Sequence, residues 1–323
     1  MRVGLLGAGG IGRVHARQYA RMDGVELLVH DQDAERASAL AESSGGTPVG
    51  SLDELVAKAD AIDVCLPTPL HREAALRAIA GGRALLVEKP IARTLEEATA
   101  IVEAAERAGV PLMVGQVVRF FADFRRGYDL VKGGAVGTPA AARTRRGGRA
   151  PVGAGGWYGD VEQSGGVLLD LAIHDFDWLR WTLGEVSHLY SRSVGLQDGH
   201  GPDYALTTLT FDCGAVAHVE ATWMDPTGFR TTFEVAGSGG LISHDSRDNA
   251  FLRTATTDGK VATDGGLVPE DDPYYRELDG FVSALKNGTE VPVSGREGLA
   301  ALAISLAAIE SAKSGRVVRP TRI

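Results

Sequence analysis

Arg2-Val3-Gly4-Leu5-Leu6-Gly7-Ala8-Gly9-Gly10-Ile11-Gly12 opens the chain with an apolar run that ends in a glycine fingerprint. The run reads as a buried strand and an amphipathic stretch follows it, the setting in which G-x-G-x-x-G acquires meaning. Gly7 permits a tight turn, Gly9 lets the backbone approach a pyrophosphate, and Gly12 allows close helix–strand packing. The helix amino terminus then attracts the anion. Asp31 closes the second strand, where a carboxylate can accept hydrogen bonds from an adenosine ribose and repel a 2′-phosphate. The expected cofactor is therefore NAD rather than NADP. Arg36, a turn or two on, could soften that preference. The plain structural alternative is a Gly-rich turn with a capping Asp.

Strand and helix patterns alternate outward from this stretch. Arg2–Leu6, Val25–His30, Ala61–Leu66, Ala84–Val87 and Leu112–Val114 read as short buried strands. Capping boxes are expected at Ser51 with Glu54 and at Thr94 with Glu97. Leu52, Leu55, Val56 and Ala59 mark one helix face; Leu95, Ala98, Ile101, Val102 and Ala105 mark another. The fold class that follows is α/β, with an amino-terminal doubly wound parallel sheet of Rossmann type. After about Gln116 glycine becomes frequent and period-two alternation takes over from Val186 to Ser243. Val216, His218, Glu220 and Thr222 alternate with Ala217, Val219, Ala221 and Trp223. This predicts a second, α+β domain on a large, mainly antiparallel open sheet, closed by helices near Tyr275–Lys286 and Arg296–Ser314. The expected domains are residues 1–118, binding the nucleotide, and 119–323, binding substrate and other subunits.

The 323 residues suffice for two cores, and a net charge of −9 argues against nucleic-acid or anionic-membrane partners. The alanine-rich run Leu299–Ile309 reads as a packed helix rather than a membrane span. Met1–Leu6 enters a strand at once, which leaves no room for a signal peptide. Cys65 and Cys213 read as buried free thiols, in keeping with a cytoplasmic location.

Two constellations carry chemistry. Glu88-Lys89-Pro90 follows a buried strand and places a lysine at the carboxyl end of the sheet, where open α/β sheets bind ligands. Its ammonium can donate to a substrate oxygen or exchange a proton, and Pro90 limits where it points. The bland reading is a surface lysine before a turn proline. In the second, Gly165-Gly166-Val167-Leu168-Leu169-Asp170-Leu171-Ala172-Ile173-His174, glycines open a helix on which Asp170 and His174 are expected to share a face. His174 suits proton transfer near neutrality, and Asp170 could orient it or bind substrate hydroxyls. A satisfied pair at a domain interface is the alternative. A metal site lacks a third ligand at suitable spacing, so none is expected.

Taken together, these motifs resemble the glucose–fructose oxidoreductase/inositol dehydrogenase/MocA (Gfo/Idh/MocA) family in order and spacing. Pro67-Thr68-Pro69 with His71, and Val114-Gly115-Gln116 followed by Arg119-Phe120, add to the match, which spans essentially the whole chain. The resemblance implies pyridine-nucleotide redox chemistry on sugars, cyclitols or their derivatives. It implies catalysis by Lys89, Asp170 and His174. It further implies cofactor contacts from Gly7, Gly9, Gly10, Ile11, Gly12, Asp31, Pro67, Thr68, His71, Glu88 and Lys89. The substrate contacts expected beside the catalytic three are Arg119, Trp157 and Tyr158. The open sheet is expected to serve a homodimer or homotetramer, its strands from about Tyr204 to Ala236 offering Val219, Ala221 and Trp223 to another subunit.

Other residues keep two readings. Trp157 and Tyr158 suit a platform for a sugar face or a place in the core. Arg119 could cap an anionic group or brace the junction. The arginines from Arg143 to Arg149 suit a solvated edge or subunit contact better than an anionic substrate. Tyr274 and Tyr275 could close over the site or pack a helix start; His15, His71 and His244 are assigned no catalytic part. The expected enzyme is an NAD-dependent dehydrogenase of a cyclic polyol. Its rivals are a sugar-processing enzyme that retains NAD through each turnover and a nucleotide-sensing regulator without turnover.

Overall fold

The first strand, β1 (Arg2–Leu6), is apolar on both sides because both faces of its sheet are covered, and Val3 and Leu5 are fully buried. This computed structural model describes residues 1–151, 154–195, 203–248, 252–258, 260–264 and 272–323. The stretch 196–202 of the expected alternating region lies outside the described residues. The chain forms two compact units, Met1–Val117 with Asp272–Leu299, and Val118–Asp271 with Ala300–Ile323.

In the first unit β1 leads into α1 (Gly10–Tyr19) and β2 (Glu26–His30), then α2 (Ala34–Ser44) and β3 (Thr47–Pro48). Next come α3 (Leu52–Lys58), β4 (Ala61–Val64), α4 (His71–Ala80), β5 (Ala84–Glu88), α5 (Leu95–Ala108) and β6 (Leu112–Gly115). The six strands pair in the order β3-β2-β1-β4-β5-β6, all in parallel. The order reverses at β1, so the switch point lies between β1 and β4. Helix starts follow the sequence signals. Thr94 and Glu97 form the full reciprocal box on α5. At α3 only half the box forms: Ser51 caps Glu54 N, while the Glu54 carboxylate accepts from Gly50 N and Lys58 instead.

The second unit opens with α6 (Ala122–Lys132) and β7 (Pro139–Gly147), followed by α7 (Val161–Ser164), α8 (Gly166–Asp170) and α9 (Ile173–Leu183). Strands β8 (Val186–Val194), β9 (Tyr204–Phe211), β10 (Val216–Thr222), β11 (Arg230–Gly237), β12 (Gly240–Asp245), β13 (Leu252–Thr256) and β14 (Val261–Asp264) complete its sheet. The eight strands run β14-β13-β12-β11-β7-β10-β9-β8, antiparallel except where β7 lies parallel to β10. Its core centres on Phe124, Trp178 and Phe233, with Trp178 donating to the Phe124 carbonyl at 2.8 Å. Gly127 is fitted to that cluster, since a Cβ there would lie 2.8 Å from the Phe233 ring.

The domain boundary differs from the sequence reading. The expected second domain ran unbroken from 119 to 323, yet α10 (Pro273–Asn287) and the start of α11 (Gly295–Ser314) belong to the first unit. Packing explains this. Helix α10 lies against α1, Val114 N donates to the Val293 carbonyl at 3.1 Å, and Gly298 abuts Val114.

Candidate active site

The glycine fingerprint is shaped for an anion. Gly7 sits at φ 107°, and a side chain on it would strike the Cys65 carbonyl at 2.6 Å. A Cβ on Gly12 would lie 2.0 Å from the Gly7 carbonyl oxygen. At Gly9 and Gly10, by contrast, nothing among the described residues lies within 4 Å of an added Cβ, so the outer side of the turn is open. Helix α1 begins there with no side-chain cap and no acidic residue in its first turn, which leaves its amide dipoles for a diphosphate. The Asp31 carboxylate is fixed beside the turn: Oδ2 accepts from Ala8 N at 2.7 Å and Oδ1 from Asp33 N at 2.9 Å. Arg36 does not soften this charge. It is paired 3.0 Å away with Asp33, the cap of its own helix. The open turn at Gly9 and Gly10 and the fixed Asp31 carboxylate are thus compatible with a dinucleotide whose ribose carries free hydroxyls.

Lys89 stands on a turn that the interior of the first unit builds. It follows the end of β5, and its peptide bond to Pro90 is cis. Its main-chain N–H donates to Glu88 Oε2 at 3.0 Å. Two residues expected at the cofactor turn out to have internal work. His71 is fully buried, with Nδ1 3.0 Å from the Pro90 carbonyl and Nε2 2.8 Å from the Leu66 carbonyl, so it ties two sheet-end loops together. Burial pushes its imidazole below the usual range, toward the neutral form. Glu88 is 6% exposed and turns inward, its Oε1 lying 3.2 Å from His15 Nε2. Pro67 leads into a short 3-10 turn, Thr68–Leu70, just before His71, with Thr68 buried.

Beneath that turn lies a polar cluster that the sequence reading missed. Asp63 Oδ2 accepts from Tyr19 Oη at 3.0 Å and meets His15 Nδ1 at 2.8 Å. Cys65 Sγ is 3.3 Å from the same nitrogen, and burial pushes its thiol far up, so it stays protonated. Ligand-type atoms of His15, Asp63 and Cys65, and of His15, Glu88 and Glu277, gather within 4.8 Å of one another. A signal was present: His15 and Tyr19 share the buried face of α1 with Gly12 and Ala16, and Asp63 interrupts an apolar strand. Cys213, expected to be buried, is exposed.

In the second unit Gly165 and Gly166 take φ of 74° and 67° and turn the chain from α7 into α8. The expected single helix carrying Asp170 and His174 is in fact two. Ala172 N reaches back five residues to the Val167 carbonyl at 2.9 Å, and the ladder restarts with Asp175 and Phe176 donating to Ala172. Asp170 therefore ends α8, half-buried, while His174 lies buried in the first turn of α9. The acids that follow are occupied. Asp175 pairs with Arg146 at 2.7 Å, and burial raises its carboxyl despite that guanidinium. Asp177 holds Arg119 through two bonds of 2.7 and 2.6 Å. Arg119 is thus a buried brace to α9, stacked 5.1 Å over Trp181, rather than an open anion-binding group.

The arginines of β7 and just beyond it are likewise partnered: Arg143 with Glu234, Arg145 with Glu220 and Asp225, and Arg149, after the strand, with the Pro226 carbonyl. Trp157 and Tyr158 stack with centroids 4.1 Å apart on a short 3-10 helix, each half-buried. Tyr275 lies beneath Arg21 on the first unit, and Tyr274 packs toward His15.

Residues 1–116 match the family model described as "Oxidoreductase family, NAD-binding Rossmann fold", and residues 124–243 match the Gfo/Idh/MocA carboxy-terminal domain. The inositol 2-dehydrogenase of Rhizobium meliloti is 30% identical over 98% of this chain and 98% of its own. The chain belongs to the Gfo/Idh/MocA family. Among other members, the 1,5-anhydro-D-fructose reductase of Ensifer adhaerens is 33% identical over 98% of this chain and 97% of its own. The solved structure of GenD2 from gentamicin A biosynthesis, in complex with NAD, superposes with a TM-score of 0.89. It is 27% identical and covers 100% of this chain and 97% of that one. This Gfo/Idh/MocA protein is accordingly an NAD-dependent oxidoreductase, with the two-unit architecture of its family.

Proposed function

We propose that this enzyme moves a hydride between NAD and a secondary alcohol of a cyclic polyol or sugar, with Lys89, Asp170 and His174 as its catalytic residues. The observation that carries the reading is the Lys89 turn, locked at the carboxyl end of β5 by the buried Glu88 carboxylate. A lysine so restrained is suited to donate to one oxygen and stabilise it as an alkoxide develops. His174 supplies the base that takes the hydroxyl proton, and Asp170 orients the imidazole or a neighbouring hydroxyl. The turn at Gly9 and Gly10, with Asp31, would hold the cofactor's diphosphate and ribose. When bound, NAD supplies the hydride acceptor. The names of the inositol dehydrogenase and anhydrofructose reductase relatives support a ring carbon bearing a hydroxyl or ketone as the reacting centre.

The finer readings are proposed on the same footing. The Trp157–Tyr158 stack suits the apolar face of a sugar ring. The outer face of the large sheet, with Tyr190, Leu206 and Val216 exposed, is proposed to join copies into a dimer or tetramer. Free thiols at Cys65 and Cys213 fit a reducing cytoplasm, and among the described residues no helix is long and apolar enough to cross a membrane. The test is a panel of cyclitols and aldoses offered with NAD or NADP, followed by the absorbance of reduced nicotinamide. NADH accumulation with a cyclic polyol is expected. Binding of NAD with no turnover on any substrate would refute the reading.

A further inference from the structure

The first unit buries more carboxyl groups around Lys89 than it supplies with donors. Asp63, Glu88 and Glu277 are 0%, 6% and 0% exposed, and His15 is 0% exposed among them. Asp63 takes His15 Nδ1 and Tyr19 Oη; Glu88 takes Lys89 N on one oxygen and faces His15 Nε2 with the other. Asp63 Oδ2 and Glu88 Oε1 lie 2.8 and 3.2 Å from the two His15 nitrogens, the second without hydrogen-bond alignment, so an imidazolium here sits between two carboxylates and offsets part of their charge. Burial opposes that charge, but the adjacent Asp63 carboxylate and its hydrogen bond favour it, and His15 is held well above its usual range.

Glu277 is different. Among the described residues neither of its carboxyl oxygens has a hydrogen-bond partner, and both are buried. The charged groups that act on it are Glu88 and Asp63, which repel its anion, and His15, which those two already share. An ionised carboxylate so placed, out of water and beside other anions, takes up a proton.

We propose that Glu277 is kept as the neutral acid and is thereby a positioning residue for Lys89. With Glu277 uncharged, Glu88 keeps its hold on the Lys89 amide; a charge on Glu277 would repel the Glu88 carboxyl beside it and loosen that clamp. This rests on the reading of Lys89 as a catalytic residue.

The surroundings leave few other candidates for the proton. The groups acting on Glu277 are His15 and Tyr19 from α1, Asp63 from β4, Glu88 at the end of β5, and Tyr274 on its own helix. Burial, with Glu88 next in effect, pushes Tyr274 up to about 12. Tyr19 is raised as well, so both phenols and the Cys65 thiol stay protonated near neutrality. Burial first and Glu88 second push Glu277 well above the carboxylate range. The amino-terminal end of its helix is fixed by Gln18 Nε2 donating to Asp272 at 2.9 Å.

The experiment compares the wild-type enzyme with Glu277→Gln, which keeps the shape and the neutral charge but cannot ionise. Three readouts apply: kcat and KM against pH, protection of the Lys89 amide from hydrogen exchange against pH, and the infrared carbonyl band of protonated carboxyls. The variant is expected to hold kcat and KM within about twofold near neutrality. It should lack the wild type's alkaline loss of kcat and of Lys89 amide protection, and one protonated-carboxyl band should vanish. A loss beyond tenfold at neutral pH with an unchanged infrared spectrum would overturn the proposal. So would stoichiometric metal in the purified protein, which would make Glu277 an ionised ligand. Amide protection and the infrared band need no substrate, so they decide the state of Glu277 even if the polyol reading fails.

Discussion

His174 and Lys89 divide the proposed chemistry between a proton and an oxygen, and that division has kinetic consequences. His174→Ala should cut hydride transfer by about 10²–10⁴-fold at neutral pH while NAD affinity barely moves. Lys89→Ala should slow the same step and raise KM, because it also loses substrate orientation. Pre-steady-state transfer and a direct NAD titration measure both; normal transfer in His174→Ala would move the acid/base role to the lysine. These residues stand out in the sequence because each breaks a local pattern: a lysine between a buried strand and a proline, a histidine in an apolar stretch. Gly7 and Gly12 were legible because backbone contact excludes any side chain. Glu277, Asp63 and His15 were not, since a lone polar residue on a buried face looks the same whether it pairs locally or joins a cluster assembled from three distant segments. His71 and Glu88 were placed at the cofactor by motif alone, and motif does not say which way a side chain turns.

At the level of elements, the strands of the first sheet read clearly from their apolar runs. Strand β3 (Thr47–Pro48) did not, being two residues long with a proline at an edge. Period two identified the antiparallel strands, but it could not show that β7 joins β10 in parallel, since that pairing spans distant sequence. The i, i+4 spacing of Asp170 and His174 suggested one helix; the restart of the ladder at Ala172 is a main-chain event that composition does not encode. Nor did the sequence reading pair Arg119 with Asp177. That pair makes a prediction of its own: Asp177→Asn leaves a buried guanidinium short of charge and should cost about 3–5 kcal/mol in denaturant unfolding. A loss within about 0.5 kcal/mol would mean that solvent reaches the pair.

For the molecule as a whole, alternation on β10 led to the right strands and the wrong face. Val219, Ala221 and Trp223 were expected to be open to another subunit, but they are buried in the second unit's own core beside Leu168 and Phe176. The face left over carries Tyr190, Leu206 and Val216. Sedimentation at micromolar concentration should give a dimer or tetramer, and Leu206→Glu should shift it toward monomer; a monomeric wild type would retire the proposed interface. Stability should also depend on pH in a definite direction. His15 and Glu277 both bind protons more tightly folded than unfolded, from ordinary values of 6.5 and 4.5. Their contribution is complete below those values and is lost as pH rises toward the raised ones. Thermal melting should therefore decline from mildly acidic to alkaline buffer, and less steeply in Glu277→Gln.

The return of Asp272–Leu299 to the first unit bears on how this protein can be cut and recombined. A fragment ending near Val117 would keep the glycine turn and Asp31 but lose Tyr274, Glu277 and the carbonyl that Val114 needs. Expressed alone, it would expose the apolar side of α1 and leave a charged pit where the enzyme has a closed one. Chimeras that exchange substrate preference between relatives face the same geometry. They require three junctions, near 117, 271 and 299, rather than a single fusion point.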